Sequence, residues 1–191
     1  MLKRLSSWLY RISKGWVVLL TLAIFTVFLV VVLPQQAELA RQTSNGAGSP
    51  DSSLFYTPND LYRFAETYGE TGRAAYIRAR FSFDVVWPIA YMAFLASAIS
   101  WFFARGFDSN SRWRWANLAP VLGLIFDYAE NSGAALVMAR YPAKTPIIDW
   151  LTPVFSLIKW FFVNGSFVLV LIGLIAWLWQ TWRQRGKPAR V

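Results

Sequence analysis

Residues 15–33 read GWVVLLTLAIFTVFLVVVL and contain no charged side chain. An α-helix rises about 1.5 Å per residue, so this stretch spans about 28 Å, close to the thickness of the hydrocarbon core of a bilayer. It is also longer than the apolar region of a secretory signal peptide, which has about 7–15 residues. We therefore expect an uncleaved transmembrane helix near the N-terminus.

Three further apolar runs follow at residues 81–104, 115–141 and 147–182. Charged residues make up 15% of the chain, whereas a soluble domain carries about 25%. The sequence predicts an all-α polytopic membrane protein that forms a single membrane domain over residues 1–191. Its four transmembrane helices are expected to pack as a bundle.

The distribution of charge predicts the topology. Eleven basic residues and one acid, Asp108, fall before the first span, between the second and third spans, and after the fourth. The segments on the other side hold seven basic residues and six acids. Because basic residues accumulate in cytoplasmic segments, we expect both termini in the cytoplasm, in a bacterial inner membrane or a plasma membrane. The eleven are Lys3, Arg4, Arg11, Lys14, Arg105, Arg112, Arg114, Arg183, Arg185, Lys187 and Arg190.

The segment 34–80 is the predicted extracytoplasmic loop. Thr57 precedes Pro58, an arrangement typical of an N-cap followed by proline in the first helical turn. Gly69 and Gly72 are expected to break this helix and to separate it from a second one. With its many aromatic residues, the loop is predicted to contain short amphipathic helices that lie on the membrane surface. One helical face would carry Leu61, Phe64, Ala65 and Tyr68.

The chain contains no Cys and no His. This composition excludes disulfides, thiolate nucleophiles, iron–sulfur ligation, His-ligated haem and a Ser-His catalytic triad. The formal net charge of +9 does not favour nucleic acid, because the basic residues lie at the ends of apolar helices. We predict no metal site, no cofactor and no nucleic-acid partner, and expect membrane lipids as partners.

Polar residues interrupt the third and fourth spans. At 100° per residue, Asp127, Glu130 and Asn131 fall within about a 100° sector of one helix. Glu130 lies about 16 Å and Lys159 about 15 Å from the outer ends of their spans. We therefore expect Lys159 to contact Glu130 or Asp127 between neighbouring helices. Lys159 belongs to a stripe with Thr152, Ser156 and Ser166.

The energetics of the bilayer make this cluster a candidate site. Each charged residue near the bilayer centre costs about 2.5–3.5 kcal/mol, so Asp127, Glu130 and Lys159 must face inward. Lys159 can neutralise one of the two deep acids, which leaves a surplus carboxyl. These three residues are candidates for acid–base chemistry or for a structural ion pair. The candidate binding residues around them are Asn131, Asp84, Tyr91, Ser156, Arg73 and Arg80.

Several short motifs follow one another in the middle of the chain. YGETGRAAY at residues 68–76 is followed by Asp84, Pro88 and Tyr91, then by DYAEN at 127–131, a Tyr-Pro pair and a Lys-Trp pair. Over residues 60–160 this spacing resembles a set of small bacterial four-helix integral membrane proteins. The resemblance implies a membrane location and assigns no activity.

Three functions are compatible with the sequence. The cluster could bind or modify a lipid or isoprenoid, with the carboxylates as acid and base. It could couple proton or cation movement to transport, for which four helices would require a homo-oligomer. It could instead be a structural lock that fixes helix packing in an accessory membrane protein. Whether the protein is an enzyme is left open by the residues.

Overall fold

The computed structural model describes residues 1–50 and 53–185, which form helices and connections without a strand. The predicted all-α class is confirmed. Lys187, Arg190 and the side chain of Arg185, which entered the charge count, lie outside the described part. The helices are α1 (Leu2–Ile12), α2 (Gly15–Val27), α3 (Leu33–Thr43), α4 (Pro58–Arg80), α5 (Phe83–Gly106), α6 (Ala119–Arg140) and α7 (Ile148–Arg185).

Within the described residues, three helical segments are long and apolar enough to cross a membrane, namely Gly15–Thr43, Pro58–Gly106 and Ile148–Gln184. They indicate a membrane protein. Helix α6 is not among them, because Asp127, Glu130 and its small residues make it less apolar. Length and composition therefore give three spanning candidates, compared with four apolar runs in the sequence.

The helix that contains the first predicted span extends beyond residue 33. A π-helical turn at Phe28–Val32 joins α2 to α3, and the helix continues to Thr43. The ring of Pro34 would clash with the carbonyl four residues earlier in a regular α-helix. The wider π-helical turn relieves this clash, which explains why the proline does not end the helix.

The connection before α5 contains one long helix with a kink. Thr57 caps α4 as expected: its hydroxyl accepts a hydrogen bond from the Asp60 N–H at 3.2 Å, and its own N–H donates to the Asp60 carboxylate at 2.9 Å. These Thr57 hydrogen bonds hold the pKa of Asp60 below its ordinary value. The backbone leaves helical geometry at Gly69, with φ 63° and ψ −175°. Gly72 does not break the helix; a side chain there would collide with the Thr43 carbonyl of α3.

The tyrosines of this connection pack inward against α6. The Tyr62 hydroxyl donates a hydrogen bond to the Asp149 carboxylate at 3.0 Å, and the Tyr68 hydroxyl donates to the Gly48 carbonyl at 2.6 Å. Segment 53–80 therefore packs against α6, and these aromatic side chains are buried in the protein. The buried cluster comprises Tyr56, Leu61, Tyr62, Ala65, Tyr68, Tyr76, Ala134, Val137 and Met138.

Both described ends of the chain lie at one end of the bundle. Ser6 of α1 donates to Asn117 at 2.8 Å, and Gln180 of α7 donates to the Gly106 carbonyl at 3.0 Å. We call this the terminal end, and the opposite end, which carries residues 34–82, the loop end. At the terminal end the predicted span 115–141 starts in a 3₁₀ helix, Arg112–Leu118, so α6 itself begins at Ala119.

Helices α5 and α7 approach closely near the terminal end, because glycines occupy their contact. A Cβ atom at Gly173 of α7 would lie 2.7 Å from the ring of Phe103 and 2.9 Å from the Cβ of Phe102. Phe103 is fully buried and its ring has little space to move. Gly165, two turns earlier in α7, has no other side chain or distant backbone within 4 Å of a Cβ built on it.

We expect Gly173→Ala to lower the free energy of unfolding by about 1–3 kcal/mol, because the added methyl group overpacks the contact. Gly165→Ala is the matched control and should be neutral or stabilising, since alanine favours a helix by about 1 kcal/mol over glycine. Thermal unfolding of both purified variants in the same detergent measures the difference. Equal melting temperatures for the two would contradict the close helix contact.

Candidate functional site

The polar face of α6 is buried. Asp127, Glu130 and Asn131 are 8%, 0% and 4% exposed, although they lie in the middle of a helix whose opposite face is apolar. Their spacing of three and four residues places them on one side of α6, as expected from the sequence. That side faces α7, whose stripe of Thr152, Ser156, Lys159 and Ser166 is also buried.

Lys159 forms the predicted contact between the two helices. Its Nζ lies 2.5 Å from Glu130 Oε2. The other carboxylate oxygen of Glu130 accepts a hydrogen bond from the Tyr56 hydroxyl at 3.0 Å. The ammonium group also lies 5.0 Å from the centre of the Trp160 ring. Glu130 is thus held by a cation from α7 and a phenol from the segment before α4.

Asp127 belongs to a second chain of hydrogen bonds. It accepts from the Tyr91 hydroxyl and from the Asn131 amide, each at 2.9 Å. The Asn131 carbonyl oxygen accepts from Arg80 Nη1 at 3.2 Å, and Arg80 Nη2 lies 2.9 Å from Asp84 Oδ2. Because a guanidinium only donates hydrogen bonds, Arg80 fixes which way the Asn131 amide points.

The structure therefore brings together seven of the nine candidate residues. Arg73 lies apart from the cluster: its guanidinium donates to the Ala65 carbonyl at 3.0 Å and sits over the Tyr141 ring at 5.0 Å. Ser156 is fully buried on the α7 stripe, and its hydroxyl has no hydrogen-bond partner among the described residues. The seven are Asp84, Tyr91, Asp127, Glu130, Asn131, Lys159 and Arg80.

Tyr56 is the residue that sequence reasoning missed. It lies 74 positions before Glu130, outside every apolar run, and no helical spacing connects the two. The available signal was indirect: Tyr56 immediately precedes the helix cap Thr57, so the start of α4 fixes its position. Arg80, a candidate binding residue from the sequence, contacts Asp84 and Asn131.

A cavity of about 380 Å³ lies beside the second hydrogen-bonded chain. One wall is polar and comes from α4, α5, α6 and the middle of α7. Glu130 does not line this wall; it lies behind Lys159 and is fully buried. The polar wall comprises Arg80, Asp84, Tyr91, Asp127, Asn131 and Lys159.

The opposite wall is apolar. The first long helix contributes Phe25, Leu29 and Leu33, and α7 contributes Trp160, Val163 and Phe167. Phe25 stacks on Trp87 at 5.6 Å between ring centres and meets Phe167 at 6.0 Å, which closes the cavity on the side of the terminal end. Leu29 and Asn164 on the cavity lining are exposed at the outside of the bundle. The cavity therefore opens sideways between α2 and α7.

The site combines ionic groups of both signs with an apolar wall. Within the described residues, no group of three or more His, Cys, Asp and Glu side chains could hold a metal ion. The carboxylate of Asp127, the phenol of Tyr91 and the ammonium of Lys159 are groups that can hold or exchange a proton. The arrangement can bind a molecule with a polar end and an apolar end.

No protein-family model, no curated protein sequence and no solved structure matches this chain.

We expect Lys159→Met to lower the free energy of unfolding by about 3–5 kcal/mol, because it leaves the Glu130 carboxylate buried without its cation. Adding Glu130→Gln should recover most of this loss, since the neutral pair can keep a hydrogen-bonded contact with Tyr56. Thermal unfolding of the two single variants and the double variant forms a double-mutant cycle. Lys14→Met, which removes an exposed lysine, is the control and should change the melting temperature little. Strictly additive losses would exclude direct coupling.

Proposed function

We propose that this protein is a four-helix integral membrane protein that binds a lipid or an isoprenoid in the lateral cavity between α2 and α7. The observation that carries the proposal is the cavity itself, which combines a polar wall with an apolar wall and a lateral opening. A ligand with an ionic or hydroxyl head and a hydrocarbon tail fits this distribution of surface chemistry.

The exposure of α6 supports its assignment as the fourth transmembrane helix. With 22 residues, it spans about 33 Å, close to the thickness of the hydrocarbon core. The residues that make α6 less apolar are buried inside the bundle. Between its ends, its exposed large side chains are apolar, as expected for a surface that contacts lipid tails, and the exposed Arg140 is its last residue. The apolar side chains are Leu122, Ile125 and Leu136.

The exposed tryptophans of α7 support a membrane-spanning orientation. Trp150 and Trp179 are both exposed near opposite ends of this helix. They are separated by about 44 Å along the helix, which matches the thickness of a bilayer with its headgroup regions. Tryptophan is enriched at both membrane–water interfaces, so each ring suits one interface. The loop end and the terminal end then lie on opposite sides of the membrane.

The headgroup chemistry follows from the charges on the polar wall. Arg80 and Lys159 are cationic, whereas Asp84 and Asp127 are acidic, and an amide and a phenol lie between them. A simple anion would approach the carboxylates as closely as the cations. A head with both donors and acceptors, such as a zwitterion or an alcohol, is better matched. Acid–base chemistry by Asp127 or Lys159 on that head would make the protein an enzyme.

We expect Leu29→Trp to reduce the amount of lipid that copurifies with the protein, because the larger side chain fills the cavity. Leu20→Trp is the matched control: Leu20 and Leu29 are 51% and 48% exposed on the same long helix, and only Leu29 lines the cavity. Bound lipid is measured by extraction and mass spectrometry after purification in one detergent. Equal lipid content in the two variants would favour a structural lock or a transport role over lipid binding.

The charge distribution predicts the orientation of the chain. Reporter fusions after Asn45 and after Ala143 should report the outside of the cell, and fusions after Asp108 and at the C-terminus should report the cytoplasm. The physical reason is the accumulation of basic residues at the terminal end. An enzymatic reporter pair that is active only on opposite sides of the membrane makes the measurement. A cytoplasmic signal from the fusion after Asn45 would overturn the orientation.

A further inference from the structure

A second cavity lies at the terminal end, between α1 and the connection that leads into α6. Its volume is about 490 Å³. One side is a face of α1, and the other is formed by residues 109–115. The side chains that define its chemistry are Lys3, Ser7, Tyr10, Asn110, Arg114 and Trp115.

Buried hydrogen bonds hold α1 in the position that forms this cavity. The side chain of Asn117 accepts from the Ser6 hydroxyl at 2.8 Å and donates to the Ser6 carbonyl and the Ser100 hydroxyl, each at 3.1 Å. Asn117 and Ser100 are fully buried. Leu9 packs in the same contact against Ala96 of α5. These contacts fix α1 against the bundle, so the cavity beside it has a defined wall.

Contacts with Tyr10 hold Arg114 in place at the cavity. Its guanidinium carbon lies 4.3 Å from the centre of the Tyr10 ring, and the Tyr10 hydroxyl donates to the Arg114 carbonyl at 2.7 Å. Burial raises the pKa of Tyr10, so its phenol stays neutral at physiological pH. Within the described part of the chain, neither Arg114 nor Lys3 forms an ion pair.

The charge of this cavity differs from that of the lateral cavity. Two cations line it and no acid does, since Asp108 precedes the lining residues and is not part of them. The hydroxyl of Ser7 and the amide of Asn110 add neutral donors. Several donors around two cations are the chemistry that binds the oxygens of a phosphate group. Trp113 and Trp115, both exposed beside the cavity, are typical of the level of lipid headgroups.

We propose that the cavity between α1 and residues 109–115 binds the phosphate of an anionic phospholipid headgroup. A lipid is favoured over a soluble phosphate ester because the exposed tryptophans bring the cavity to the membrane–water interface. Basic pockets beside transmembrane helices bind anionic headgroups through the same combination of charge and position. The site is separate from the lateral cavity and does not depend on the function proposed for it.

The test is a titration of the purified full-length protein in a nonionic detergent. The probes are dioctanoyl phosphatidylglycerol, dioctanoyl phosphatidylcholine and glycerol 3-phosphate, with binding measured by native mass spectrometry. We expect the phosphatidylglycerol to bind most tightly. Lys3→Gln combined with Arg114→Gln should weaken its binding by about tenfold or more, because two cations at the headgroup are removed.

Lys14→Gln combined with Arg112→Gln is the matched control. It removes two exposed basic residues from the same end of the bundle and leaves the cavity lining unchanged. Equal losses in both double variants would show general charge attraction and overturn the proposal. If Arg114→Gln disturbs the packing on Tyr10, Lys3→Glu alone provides the test. Unchanged lipid binding in the Lys3→Glu variant would also overturn the proposal. Glycerol 3-phosphate that binds as tightly as the lipid would overturn the assignment to a membrane headgroup.

Discussion

Two carboxylates near the middle of an otherwise apolar bundle determine how the helices are arranged. If they faced lipid, Asp127 and Glu130 would each raise the free energy of the folded protein by about 2.5–3.5 kcal/mol. That cost is a large fraction of the stability of a domain. Helix α6 therefore turns its polar face toward α7, and Lys159 of α7 meets Glu130 at 2.5 Å. At the loop end, the tyrosines of segment 53–80 cover Ala134, Val137 and Met138 of α6. The position of that segment depends on the same buried face.

The polar cluster has two parts with different surroundings. Glu130 is fully enclosed, between Lys159 and the Tyr56 hydroxyl, and it does not reach the cavity. This half has the properties of a structural lock, since it joins α6, α7 and the segment before α4. Asp127, by contrast, lines the cavity together with Asn131 and Arg80. A lock and a binding site are thus compatible in one cluster, and Lys159 belongs to both parts.

The sequence predicted those parts of the site that depend on helical geometry. Three polar residues at spacings of three and four define a face of α6 in any straight helix, and similar depth on antiparallel neighbours was sufficient to predict that Lys159 contacts Glu130 or Asp127. The role of Tyr56 could not be predicted, because it depends on where a distant connection folds back onto α6. The continuation of the first helix beyond residue 33 was not predicted, because the π-helical turn that accommodates Pro34 leaves no clear pattern in composition.

Helix α2 buries a single side chain, Phe25, and the space beside it forms the lateral cavity. Helix α2 rests on α5 through the aromatic contacts of Phe25 with Trp87 and Phe94, at 5.6 and 5.1 Å between ring centres. Beyond Phe25, toward the loop end, α2 and α7 stay apart, and the polar wall lies behind the space between them. A membrane helix gains little from leaving one apolar neighbour for another, because lipid tails are as apolar as leucine. Under the proposed function, an apolar tail between α2 and α7 would replace contacts that lipid otherwise makes, and the specificity of binding would come from the polar wall.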